Sequence, residues 1–283
     1  LISSIAFAPL LFDSSNVMFI LLALFVAIPA WLVGFSTPVF AWWSFSSSRF
    51  HISTTRQQGE AMLIAGMLST FPALIINSLI TPGTVFLLSG GQASAALVET
   101  ITLVISAPVG EELCKALAVF SLAGMIDSKK RGFQVGFTVG LGFALLENLQ
   151  YILFSLFAGE AVAVSYGFTT VIRGIGSIPG HAMWTACSGY AIGHMLEQKK
   201  YGIQIPDVKQ WNLVNPLNPS GSPTMGYGSH YNQSSLFTKS SNLQLPTSLP
   251  VMLGIAIFGH AFWNGSLTLI TYLTSGMNTL VIL

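Results

Sequence analysis

Charge is scarce in this sequence: Asp, Glu, Lys and Arg make up 7% of 283 residues, where a soluble domain carries about 25%. Set against 52% hydrophobic residues, that scarcity excludes an ordinary soluble domain and points to a polytopic membrane protein. The net charge is only +1 and no basic run with interleaved aromatics occurs, which excludes a nucleic-acid partner. Cysteine is nearly absent, and Cys114 and Cys187 both lie in apolar runs, where the residue behaves as a small hydrophobe. Aspartate is missing from those runs: Asp13, Asp127 and Asp207 stand at their ends or in a loop, so an intramembrane aspartyl dyad is unavailable. There is no His-Glu-x-x-His zinc motif, and no intramembrane serine sits at the depth of a plausible base. Carboxylates, imidazoles and an amide remain for chemistry.

The carboxylates concentrate at Glu111-Glu112-Leu113-Cys114-Lys115, inside the apolar run 93–126. An ionised carboxylate in hydrocarbon costs several kcal/mol, so a chain that keeps two of them there has a use for them. On a helix Lys115 falls one turn from both glutamates, so it pairs with one and leaves the other available. Two adjacent carboxylates repel, an arrangement suited to proton transfer. The plainer reading is a buried ion pair that fixes helix packing; the second glutamate, which one lysine cannot fully neutralise, weighs against it.

The hydropathy pattern predicts an all-α transmembrane bundle with about six to eight membrane segments. It forms a single integral membrane domain over 1–283, with its core motif region at 93–273, multi-pass in a prokaryotic plasma membrane. Apolar runs occupy 17–45, 61–80, 93–126, 133–157, 180–196 and 250–273, with Pro29 and Pro38 expected to kink or end the first. Thr81-Pro82-Gly83 is expected to end the second run. Pro108-Val109-Gly110 is expected to break the third into a re-entrant piece and the helix that bears Glu111. The stretch 160–179, with Arg173, is expected at the outer surface. Basic residues in 46–59, in 127–131 and at Lys199-Lys200 mark the cytoplasmic ends, and the polar stretch 197–249 reads as a flexible cytoplasmic loop.

Within 133–157, Gly136, Gly140, Phe143, Glu147 and Tyr151 share one helical face, so a neighbouring helix can approach closely and Glu147 faces the bundle interior. His260 and Asn264 lie one turn apart on the last span. Counting helical rise from the basic ends, Glu112, Glu147, His181 and Asn264 each come roughly 21 to 24 Å above the cytoplasmic surface, and His260 roughly 15 Å. They are displaced toward the outer leaflet of a core about 30 Å thick. Scattered structural polar residues have no reason to coincide in height.

The series Glu111-Glu112-x-x-Lys115, Phe143-x-x-x-Glu147-Asn148-x-x-Tyr151, His181 followed by Gly189-Tyr190, and His260-x-x-x-Asn264 resembles the motifs of the PrsW family. That family belongs to the superfamily of CAAX-prenyl endopeptidases and bacteriocin-processing proteins. The resemblance implies an intramembrane endopeptidase acting on a single-pass, membrane-anchored protein such as an anti-sigma factor; the outward displacement of the polar residues predicts a cut near the extracytoplasmic side. The matching chemistry gives Glu111 or Glu112, with a preference for Glu112, the role of general base on a water molecule. Asn264, with His260 or His181, donates to the oxyanion. Lys115 holds the glutamate pair, and Glu147 either protonates the leaving amine or orients a histidine.

Two other readings use the same residues. Two or three of Glu112, Glu147, His181 and His260 can ligate zinc and leave the remaining glutamate as base. The cofactor is therefore none or zinc. A transporter or ion pathway, or a non-catalytic helix-binding protein, would also bury Glu and His residues, although the inverted repeats expected of a transporter are missing.

Overall fold

The computed structural model describes residues 25, 31–50, 52–156, 162–201 and 245–275, and no strand occurs among them. The start of the first expected span, with Pro29, and residues 202–244 of the polar loop lie outside the described residues. Helix α1 is Thr37–Phe50, preceded by a π-helical turn at Leu32–Ser36. Helix α2 joins Arg56–Ile75, a π turn at Ile76–Ile80 and Thr81–Leu88. Helix α3 joins Ala95–Ile101, a π turn at Thr102–Ser106 and Ala107–Ser121. Helix α4 is Lys129–Leu156. Helix α5 joins Val162–Ile172, a π turn at Arg173–Ser177 and Ile178–Tyr201, and α6 is Leu249–Ser275.

Three expectations about helix ends are corrected here. Thr81-Pro82-Gly83 does not end α2, Pro108-Val109-Gly110 does not break α3, and the stretch carrying Arg173 is part of α5 with its side chain buried rather than at the surface. One cause accounts for all three. Each π turn ends two residues before a proline: Pro38, Pro82, Pro108 and Pro179. In the α register a proline ring collides with the carbonyl four residues back and supplies no N–H. Widening one turn removes the collision and lets the helix continue. The register is visible just before three of these prolines, where Thr81 donates to the Ile76 carbonyl, Ala107 to that of Thr102 and Ile178 to that of Arg173, each five residues back.

Continuing that register by one residue, Pro108 should have served the Leu103 carbonyl and Pro179 that of Gly174. Both carbonyls are freed, and both find donors on distant helices. Asn264 Nδ2 donates to the Leu103 oxygen at 2.9 Å, and the Trp42 indole donates to the Gly174 oxygen at 3.3 Å. A buried carbonyl needs such a partner, above all where no water is at hand.

Glycine draws α4 and α5 into backbone contact. A Cβ at Gly136 would run into the Thr185 carbonyl and one at Gly140 into the His181 carbonyl, while Gly189 faces Gly132 in return. Small residues at such a seam are how membrane helices approach closely. Their effect here is to bring His181 against the face that carries Phe143 and Glu147. On the opposite side of α4, Gly66 and Gly142 do the same for α2.

The basic ends gather at one end of the bundle. Arg131 donates to the Ser53 carbonyl and to Thr54, and the Lys129 amide donates to Glu197. Many side chains facing outward are apolar, including Leu87, Leu117, Ile175, Phe258 and Phe262, whereas Glu111, Glu112, Lys115, Arg173, His181 and His260 are interior. That inversion suits a lipid surround. Among the described residues two helices, Arg56–Leu88 and Leu249–Ile270, are long and apolar enough to cross a membrane.

Candidate active site

Four helices bring ionisable side chains to one place. Lys115 on α3 is fully buried, and its ammonium donates to Glu112 Oε1 at 2.6 Å and lies 2.9 Å from His181 Nδ1. Phe143 presents its ring face 4.3 Å from the same ammonium. Because an ammonium only donates, His181 Nδ1 must accept, and the ring proton sits on Nε2. That nitrogen faces Glu147 Oε2 at 2.9 Å. His260 Nδ1 lies 3.0 Å from Glu112 Oε1 and donates to it, which leaves His260 Nε2 open toward Glu111 Oε2 at 3.8 Å. Trp184 stacks on His260, centroids 4.6 Å apart, and meets His181 edge-on, walling off both imidazoles.

The two adjacent glutamates therefore differ in their commitments. Glu112 is completely enclosed and is held by Lys115 and His260 through Oε1 alone, its Oε2 being buried without a hydrogen-bond partner. Glu111 accepts from Asn77 Nδ2 at 3.2 Å through Oε1, and its Oε2 is buried without a hydrogen-bond partner, 3.9 Å from the lysine ammonium. Arg173 donates to Glu147 at 2.7 Å. Three carboxylates thus face two permanent cations, and the excess negative charge calls for a proton or a metal cation. The side chains of Glu147 and Glu111 retain 14% and 8% exposure where Glu112 and Lys115 have none, so the cluster opens on the Glu147 and Glu111 side.

A family model for the PrsW family intramembrane metalloproteases matches residues 58–214, more than half of the chain. The chain belongs to the PrsW family. No curated protein and no solved structure matches. PrsW proteins are proteases embedded in the membrane, so this is a membrane protein of a protease family. His260 and Asn264 lie beyond the matched stretch, and their relation to the cluster comes from the packing of α6.

The family description implies a metal, and the donors fit one. Glu111, His181 and His260 each offer one ligand atom, those atoms lying within 4.8 Å of one another. A His/His/Glu set is a zinc set. The orphaned Glu111 Oε2 and the excess negative charge are further marks of a cation site. This set contains Glu111, whereas the residues offered by the sequence are two or three of Glu112, Glu147, His181 and His260.

Of the residues expected from sequence in this PrsW chain, Glu111, Glu112, Lys115, Glu147, His181 and His260 form one connected network. Asn264 stands apart from it and serves the Leu103 carbonyl. Replacing Asn264 by Leu leaves that carbonyl unpaired, and we expect a loss of about 1–3 kcal/mol in detergent unfolding. An oxyanion donor would show the opposite pattern, a large loss of cleavage at unchanged stability.

Sequence reasoning missed Asn77 and Arg173. Each begins or immediately follows the start of a π turn, five or six residues before Pro82 and Pro179. A polar residue at that spacing before a proline inside an apolar run was the available signal.

Proposed function

We propose that this chain is an intramembrane endopeptidase that hydrolyses a peptide bond of a single-pass, membrane-anchored protein, with Glu111 as the carboxylate that engages the attacking water. The observation that carries this reading is the unpartnered, buried Glu111 Oε2 facing the open Nε2 of His260 at 3.8 Å. A water molecule lodged between them would give its proton to Glu111 as its oxygen attacks the carbonyl carbon. The Lys115 ammonium, with protons on Glu112 and His181 and the Phe143 ring face over it, holds the cluster together from within. Collapse of the tetrahedral species breaks the C–N bond, and the proton held by Glu111 passes to the leaving amine.

Glu112 orients His260, Glu147 orients His181, and Asn77 orients Glu111, so the reacting atoms are positioned before substrate arrives. Zinc, when bound by Glu111, His181 and His260, would supply Lewis acidity and a more acidic water. With zinc held there, Glu111 would serve as a ligand rather than as the base.

About six to eight membrane segments and a cut toward the extracytoplasmic side belong to the same proposal. Its support is the common basic end of the bundle and the position of Glu147, about 27 Å of helical rise from Lys129. A substrate of the anti-sigma-factor kind, with its cleavage site outside the cytoplasm, fits that geometry.

The test is metal content by mass spectrometry together with cleavage of a single-pass substrate, in wild type and in Glu111→Ala and His260→Ala. Stoichiometric zinc that disappears with activity in both variants would make these residues ligands. Metal-free activity lost in Glu111→Ala would make Glu111 the base. Full activity in Glu111→Ala would overturn the assignment.

A further inference from the structure

We propose that Asn77 is a substrate-binding residue: its side-chain oxygen, and the main-chain carbonyl that Pro82 frees at the same position, accept hydrogen bonds from backbone N–H groups of an unwound peptide segment. The inference deepens the proteolytic reading above and rests on it for the identity of the ligand.

Asn77 holds two acceptors that await donors. Its side chain reaches from α2 to α3, where Nδ2 donates to Glu111 Oε1 at 3.2 Å. That contact fixes which way the amide points, because a flipped Asn77 would set its oxygen against the carboxylate. Oδ1 is left buried without a hydrogen-bond partner. The main-chain acceptor follows from the π turn at Ile76–Ile80, where Thr81 donates to the Ile76 carbonyl. In that register residue 82 would serve Asn77, and proline has no N–H to give. The carbonyls freed in the same way at Leu103 and Gly174 have side-chain donors from other helices. Among the described residues no side chain donates to the carbonyl of Asn77. Unserved acceptors are rare in a folded chain, and in hydrocarbon no solvent stands in for the missing donor. Here two fall on one residue, beside the carboxylate that engages the attacking water.

The place of Asn77 limits what can supply the donors. It is half-buried, on the Glu111 side where the cluster opens, and it stands where α2 leaves the packed core. Before it α2 buries Met62, Gly66, Ser69, Thr70 and Ala73. From Ile76 to Leu88 the helix buries no residue, and neither does the Ala95–Ser106 half of α3. One turn further out, the Thr81 and Ser106 hydroxyls are hydrogen-bonded and join these two outer halves. Lipid acyl chains carry no N–H. A peptide carries one at every residue except proline, but a helix spends them on its own carbonyls. Asn77 therefore favours unwound backbone over helix, whatever the side chains, and a peptide bond inside a helix must be unwound before water can attack it.

The experiment uses the full chain in detergent and a fluorescent synthetic single-pass peptide with a glycine-rich segment near one end. Backbone N–H groups across that segment are replaced one at a time by an ester oxygen, which keeps the backbone shape and removes one donor. Binding is read by anisotropy on the Glu111→Gln protein, whose side-chain carbonyl still accepts from Asn77, so that nothing is cut. At two positions the ester should weaken binding about 5- to 10-fold, the scale of one hydrogen bond. Adding Asn77→Leu should abolish the ester effect at one of them, and adding Pro82→Ala, which returns an N–H to the helix, should abolish it at the other. If the peptide does not bind, if no ester weakens binding, or if the ester effects persist in both variants, Asn77 does not hold substrate backbone and the inference fails. Should Asn77→Leu not fold, Pro82→Ala decides by its own position. Ester-sensitive binding that both variants abolish, in a protein whose wild type cuts none of the peptides, would uphold the docking and sink the protease reading alone. Cleavage by wild type of a peptide whose binding ignores every ester would do the reverse.

Discussion

Glu111→Gln should reduce cleavage by about 10²–10⁴-fold, the usual contribution of a general base, while leaving the protein folded. The amide is isosteric, and its carbonyl oxygen can still accept from Asn77 as Oε1 does now. What disappears is the oxygen that has no partner in the resting protein and faces His260. Glu112→Gln should behave differently. It weakens the contacts with Lys115 at 2.6 Å and His260 at 3.0 Å, so stability and activity should fall together. Cleavage rates and unfolding midpoints for both variants in one detergent separate the two glutamates. A Glu111→Gln protein with the wild-type rate, beside a fully stable and inactive Glu112→Gln protein, would reverse their roles.

Lys115→Met should be the most destabilising single change in the cluster. The lysine side chain is wholly enclosed, with Glu112, His181 and the Phe143 face around its ammonium. Removing one member of a buried ion pair strands the other, at a cost of about 3–5 kcal/mol. For a protein whose total stability is about 5–15 kcal/mol, that is enough to lower the yield of folded material severely. Methionine fills similar volume, so the loss reports charge rather than a cavity. Lys115→Met combined with Glu112→Gln should recover much of the stability, because the stranded carboxylate is gone. The measurement is thermal or denaturant unfolding of all three proteins; a Lys115→Met midpoint equal to wild type would mean that Lys115 does not neutralise Glu112.

The relation between proline and helix explains where sequence reading stops. Pro82 and Pro108 look like helix ends because a proline in the α register costs a hydrogen bond and a collision. Whether the chain ends there or widens by one residue depends on whether the freed carbonyl finds a donor. For Leu103 the donor is Asn264, and for Gly174 it is Trp42, both on other helices. Nothing local to Pro108 announces Asn264. Arg173 was misread for the same reason: its seat consists of Glu147, Asn148 and Tyr151, and only the packing of α4 against α5 assembles it.

Composition and spacing alone determine that this chain is helical, that it belongs in a membrane, that Glu111, Glu112 and Lys115 share one helix turn region, and that Gly136, Gly140 and Glu147 share a face. These are properties of hydrophobicity and of the helical repeat, which act within a few residues. The tertiary structure decides which carboxylate is open, which imidazole nitrogen carries its proton, and that Asn264 serves a carbonyl while Arg173 enters the cluster. Those outcomes turn on tenths of an ångström between side chains from different helices. They are set by how closely Gly140 lets the His181 backbone approach, a distance that no local pattern in the sequence encodes.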